Sequence, residues 1–117
     1  PLACAAGLAT LEVFREQRLF ERAAELAPYW QDALHSLRDA RHVIDIRNLG
    51  IIGGIELEPR HGKPTQRALE TFRACFERGV LIRVTADIIA LSPPLIIEKG
   101  QIDQIIDTIR AVLREVD

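Results

Sequence analysis

Two pairs of β-rich runs in this chain are each joined by only three residues. His42-Val43-Ile44-Asp45-Ile46-Arg47 and Ile51-Ile52-Gly53-Gly54-Ile55-Glu56-Leu57 flank Asn48-Leu49-Gly50; Val80-Leu81-Ile82-Arg83-Val84 and Ile88-Ile89-Ala90-Leu91 flank Thr85-Ala86-Asp87. So short a connection cannot carry a parallel crossover, which needs a dozen residues or more. Each pair therefore reads as antiparallel, the first as a hairpin. Pro93-Pro94 stops the last run, because proline has no N–H to give to a ladder.

The remainder follows a helical period. Leu2, Ala5, Ala6, Leu8, Ala9 and Val13 predict a helix from Leu2 to about Phe14. Leu19 through Leu37 predicts a second, which Pro28 should kink or divide by removing a backbone donor and crowding the preceding turn. Ala68, Leu69, Phe72, Cys75 and Phe76 mark a third, ending at Gly79 in a good C-cap position. Ile102, Ile105, Ile106, Ile109, Val112 and Leu113 give the last helix the cleanest stripe in the chain. With no repeated βαβ unit, this order predicts an α+β fold: an antiparallel sheet of about four strands covered by helices, in a single domain over 1–117. Gly53 and Gly54 lie inside a strand, where a bulge is expected and close approach of another surface is the alternative. Glu58 to Pro64 reads as a polar surface loop.

Charge and length remove several functions. The 117 residues fit one domain, short for a cofactor enzyme with its own substrate pocket. Fifteen basic against 17 acidic residues, net −2, leave no excess to grip a phosphate backbone, so nucleic acid is not an expected partner. No apolar stretch of about 18 residues is present, and no membrane partner is expected. Cys4 and Cys75 are far apart and have no ligand-spaced neighbours, which predicts two buried free thiols in a reducing, cytoplasmic setting. The opening Pro1-Leu2-Ala3-Cys4 has no initiator Met, as expected of a piece of a longer protein.

Few residues offer chemistry. His35, His42 and His61 are scattered over a helix, a strand start and a loop, and no nucleophile elbow accompanies them. The pair Gly53-Gly54 opens no helix, so no phosphate loop is expected. A Schiff-base lysine needs desolvation to lose its proton near neutral pH, and Lys63 and Lys99 both read as solvated. Arg83 remains. It follows a strongly apolar run and precedes a turn, so it can emerge at a sheet edge and hold a carboxylate at two points. A surface ion pair with Asp45 or Asp87 is the alternative.

The segments Pro1–Leu11, Leu19–Trp30, Val43–Asn48, Leu81–Thr85 and Ile88–Lys99, in this order, resemble the end of the omega-amino acid–pyruvate aminotransferases. These are class III members of the fold-type I pyridoxal-phosphate enzymes. The resemblance implies the small C-terminal domain of such an enzyme, one that recognises substrate and closes the active site. It also implies pyridoxal phosphate in the full-length parent, with none expected on these residues alone. Its partners would be the large domain, a second subunit of a homo-oligomer, an amino donor such as beta-alanine, and pyruvate. Arg83 matches the family arginine that binds the substrate carboxylate; the Schiff-base lysine has no counterpart here, so the chain alone should be inactive. Ala90 stands where ornithine- and GABA-type relatives often carry arginine, and Ala86 where close relatives tend to carry glycine. The competing reading is a stand-alone α+β binding or regulatory module derived from an aminotransferase.

Overall fold

The computed structural model describes residues 1–117. Its elements run α1 (Leu2–Glu16), α2 (Leu19–His35), β1 (Val43–Leu49), β2 (Ile52–Leu57), α3 (Gln66–Glu77), β3 (Arg83–Thr85), β4 (Ile88–Leu91) and α4 (Lys99–Glu115). The four strands form one antiparallel sheet in the order β1-β2-β4-β3, so the expected α+β architecture is present, with β1 and β3 at the edges.

Cross-strand register sorts the sheet into two faces. Ile46, Ile55, Ile89 and Val84 form one row. This face carries buried Ile55, Leu57, Ile89 and Leu91 and meets Trp30 and Leu34 of α2 and Ile102, Ile109 and Leu113 of α4 in one hydrophobic cluster. The neighbouring row, Arg47, Gly54, Ala90 and Arg83, belongs to the opposite, open face.

Local chemistry fixes the ends of the elements. α3 ends in a Schellman motif: Gly79 at φ +81° donates to Phe76 O, and Val80 N–H reaches back to Cys75 O, both at 2.9 Å. That arrangement draws Val80 into the core and takes it out of the sheet. The third strand is accordingly shorter than the run Val80–Val84 predicted. α4 opens on a capping box, in which the Gln101 side chain accepts from Glu98 N–H at 3.0 Å. Its stripe of Ile102, Ile106, Ile109, Val112 and Leu113 is buried as its period predicted.

Three other expectations need correction. Pro28 does not divide α2, which runs from Leu19 to His35 through it. Pro28 and Ala24, whose carbonyl loses its helical partner, are both exposed, so water can satisfy that carbonyl. The bulge lies at Ile44, in β1 between Val43 and Asp45, not at Gly53-Gly54. Gly53 is required by close packing, because a Cβ there would lie 2.6 Å from Leu34 Cδ2. Of the two thiols, Cys75 is buried but Cys4 is exposed on α1.

α1 itself buries no residue. It packs chiefly on α2, through the edge-to-face pair Phe14–Phe20 with ring centroids 5.3 Å apart. The radius of gyration, 16.2 Å, exceeds the roughly 13 Å of a compact chain of about this size because α1 stands away from the body. No helix is long and apolar enough to cross a membrane.

Candidate functional site

Arg83 opens β3, is exposed, and lies directly across from Ala90 of β4. Neither carboxylate proposed as its partner reaches it. Asp45 is bound by Arg47, which also pairs with Glu56 at 2.9 Å. Asp87 accepts the Thr65 backbone N–H at 2.8 Å. Arg83 forms no ion pair in the chain and is free to meet an external anion.

The hairpin that carries it is strained. Ala86, in the two-residue turn between Thr85 and Ile88, sits at φ +51°, where a Cβ crowds the following carbonyl. Asp87 holds this turn to the body, because its backbone oxygen accepts from Leu57 N–H at 2.8 Å while its side chain binds Thr65.

Beside Arg83 lies a cavity of about 540 Å³. Trp30 of α2, Leu69 and Phe72 of α3, Val84 of β3 and Ile105 of α4 line it, with the Ser92-Pro93-Pro94 segment. Arg83 is the only charged residue in the lining, which includes no Asp or Glu. In the sequence Leu69 and Phe72 mark a helix and Pro93-Pro94 ends a strand. Neither pattern shows that these groups border an open cleft.

The other candidates stand apart. His35 Nε2–H donates to Asn48 Oδ1 at 2.9 Å, and Arg38 donates to His35 Nδ1 at 3.1 Å. His42 Nε2–H donates to Val116 O at 3.1 Å, and burial holds its pKa below the usual imidazole value. His61 is exposed in the loop. Burial pushes the Cys75 thiol up to about 11, so it is no nucleophile at neutral pH. No cluster of three metal-ligating side chains is present.

Over residues 1–113 the chain matches the family model for aminotransferase class-III. This chain belongs to the class-III aminotransferases. It is 69% identical over all 117 residues to an omega-aminotransferase of Caulobacter vibrioides, covering 27% of that protein. It is 37% identical over 113 residues to a beta-alanine–pyruvate aminotransferase of Pseudomonas aeruginosa, covering 25% of it. Among solved structures it superposes on a transaminase bound to L-alanine with a TM-score of 0.90 at 30% identity, over 98% of this chain and 28% of that one. The chain thus spans about a quarter of the length of the class-III enzymes it matches.

Membership of the class implies pyridoxal phosphate in the full-length enzyme. The residues here do not fit that group. Both lysines are exposed: Lys63 lies in the loop before α3, and Lys99 opens α4 with its Nζ 4.8 Å from the centre of the Tyr29 ring. Neither has the apolar surroundings a Schiff-base amine needs.

Proposed function

We propose that residues 1–117 are the substrate-recognising, active-site-closing part of a transaminase that moves an amino group from omega-amino acids such as beta-alanine, or from amines, to pyruvate. Arg83 holds the substrate carboxylate in a two-point, charge-assisted contact. The observation that carries this reading is the state of Arg83: exposed, unpaired, and set on the open face of the sheet. A guanidinium already neutralised by Asp45 or Asp87 would have little left to offer a substrate.

The open face and α1 pack against the rest of the enzyme, which supplies the cofactor and its lysine, and a second subunit completes the site. Residues 1–117 alone then neither bind pyridoxal phosphate covalently nor transaminate. Their similarity to an omega-aminotransferase over the whole chain supports this reading over a stand-alone module.

The test compares single-turnover rates of the full-length enzyme with beta-alanine and with 1-phenylethylamine, before and after Arg83→Ala. The loss with beta-alanine should be about one to two powers of ten, and the amine, with no carboxylate to lose, should keep most of its rate. Equal losses for both donors would end the assignment. Arg83→Lys should restore only part of the beta-alanine rate, because an ammonium keeps the charge without the planar fork.

A further inference from the structure

β3 is three residues long and lies at the edge of the sheet, hydrogen-bonded on one side only, to β4. So short an edge strand has few ladder bonds to fix where Arg83 sits. At one end the core holds it, through buried Ile82 and half-buried Val84. At the other end a single residue does. The Asp87 backbone oxygen accepts from Leu57 N–H and its Oδ1 accepts from Thr65 N–H, both at 2.8 Å, so the hairpin tip is pinned at once to the end of β2 and to the start of α3.

The second bond is more than a helix cap. Thr65 immediately precedes α3 and carries a hydroxyl suited to capping, yet that hydroxyl makes no cap bond; the fold uses a carboxylate 22 residues further along instead. Two of the chain's four non-glycine residues at positive φ, Thr65 at +67° and Ala86 at +51°, flank the contact. Strained conformations persist where their surroundings over-determine them, and Asp87 is what joins these two. The same bond commits the carboxylate nearest to Arg83 in sequence, leaving the guanidinium unpaired.

From this two-point anchor we infer that Asp87 is a positioning residue of the transaminase: by fixing the tip of the β3–β4 hairpin against α3, it sets where the Arg83 guanidinium stands relative to the amino donor. Asp87 touches neither substrate nor cofactor in this role and acts through Arg83 alone. The inference rests on reading Arg83 as the carboxylate binder, and adds to it the residue that fixes that arginine in place. A displacement of about 1 Å is enough to weaken a two-point contact, because both hydrogen bonds of the fork depend on one orientation.

Variants of the full-length enzyme test it, each assayed by single-turnover rate against concentration with beta-alanine and with 1-phenylethylamine. Asp87→Ala should raise the half-saturating concentration of beta-alanine about three- to tenfold, the range one hydrogen bond commands, and leave that of the amine within about twofold. Asp87→Glu keeps the charge and an acceptor but lengthens the tether by a methylene. It should show the same donor preference more weakly, whereas a residue that only capped α3 would leave both donors unaffected. Asp87→Asn keeps the tether length and an acceptor oxygen and should retain most of the beta-alanine affinity. In the Arg83→Ala background, Asp87→Ala should bring no further loss with beta-alanine, because a residue that acts through the arginine has nothing left to position. Equal losses for both donors, or losses that add in the double variant, would show that Asp87 supports the fold and overturn the inference. If Asp87→Ala does not fold, the donor contrast of Asp87→Glu decides in its place. A donor contrast in Arg83→Ala with none in Asp87→Ala or Asp87→Glu removes Asp87 and leaves the substrate role of Arg83 standing. No contrast in Arg83→Ala removes both.

Discussion

Arg67 Nε donates a 3.1 Å hydrogen bond to the backbone oxygen of Asp117, while its Nη1 donates to the backbone oxygen of Glu58. Arg67 is buried, and what it holds is main chain, so one cation ties the end of β2, the start of α3 and the end of α4. Arg60 reaches the same Asp117 oxygen and grips Glu70 at two points, at 2.9 and 3.0 Å. Replacing Arg67 with Met would take its donor from the Glu58 carbonyl and leave the Asp117 oxygen to Arg60 alone. The expected loss is about 1–3 kcal/mol, read from the urea midpoint at unchanged slope. Stability within 0.5 kcal/mol of the parent would show that water replaces the guanidinium without cost, about the range of a neutral surface change.

Gly53 and Gly54 are neighbours with different duties, which two alanine variants separate. At Gly53 the added Cβ would lie 2.6 Å from Leu34 Cδ2 and 3.4 Å from Trp30, both fully buried, so Gly53→Ala should cost about 1–3 kcal/mol by overpacking. At Gly54 the Cβ would meet Arg47 and Ile88 at 3.7 Å, an ordinary contact, and Gly54→Ala should leave stability near that of the parent. Similar losses at both positions in thermal melts would contradict this packing.

Ala86 at φ +51° predicts a gain from a change that adds no contact. The left-handed conformation costs an L-residue about 1–2 kcal/mol, and glycine costs about 0.4–1 kcal/mol through the unfolded chain. Ala86→Gly should therefore stabilise by roughly 0.5–1 kcal/mol, the difference between those ranges. A lower melting temperature would mean that the turn relaxes without strain.

These positions mark what the sequence could and could not display. Hairpin connections, the α4 stripe and the Gly79 cap rest on neighbours in the chain and were legible. The duty of Gly53 depends on Leu34, and the retreat of β3 depends on Val80 reaching back to Cys75 O. The cavity was illegible because Trp30, Phe72 and Ile105 look alike whether they fill a core or surround a space. Arg83 was legible as a candidate, but its freedom was not, since only the fold commits Asp45 to Arg47 and Asp87 to Thr65.

His42 gives stability a pH dependence of definite sign. Burial, its largest influence, holds its pKa below the ordinary 6.5 in the folded state, with Arg67 and Arg41 acting the same way and Val116 O and Glu58 opposing. A lowered folded value means the unfolded chain binds the proton more readily, so stability is present above about 6.5 and is lost as pH falls through the folded value. Urea midpoints between pH 7.5 and 5.5 should decline. His42→Asn, which tolerates the φ of +69° at this position, should flatten the decline. An unchanged slope in that variant would assign the dependence to other groups.

The last prediction concerns α1, whose 15 residues bury nothing. Helix formation in water is costly to nucleate, and helices below about 12–15 residues are marginal without tertiary packing even when rich in alanine. Here Gly7 sits inside the helix at a cost of about 1 kcal/mol relative to alanine, and no atom lies close enough above it to require a glycine. Pro1 offers no capping side chain, and Leu2, Leu8 and Leu11 are 85%, 65% and 64% exposed. In the isolated chain the α1 amides should exchange far faster than those of α2, and the exposed leucines should bind a hydrophobic dye or drive self-association as concentration rises. In a full-length enzyme that covers this face, the same amides should be protected. Gly7→Ala should raise the helicity of α1 in the isolated chain without changing the exchange of α4. Leu8→Glu with Leu11→Glu should reduce dye binding and leave the global melting temperature unchanged, because neither side chain belongs to the core. Protection of α1 equal to that of α2 in a monomeric, dye-negative chain would show that the helix needs no cover, and the docking role proposed for it would fall.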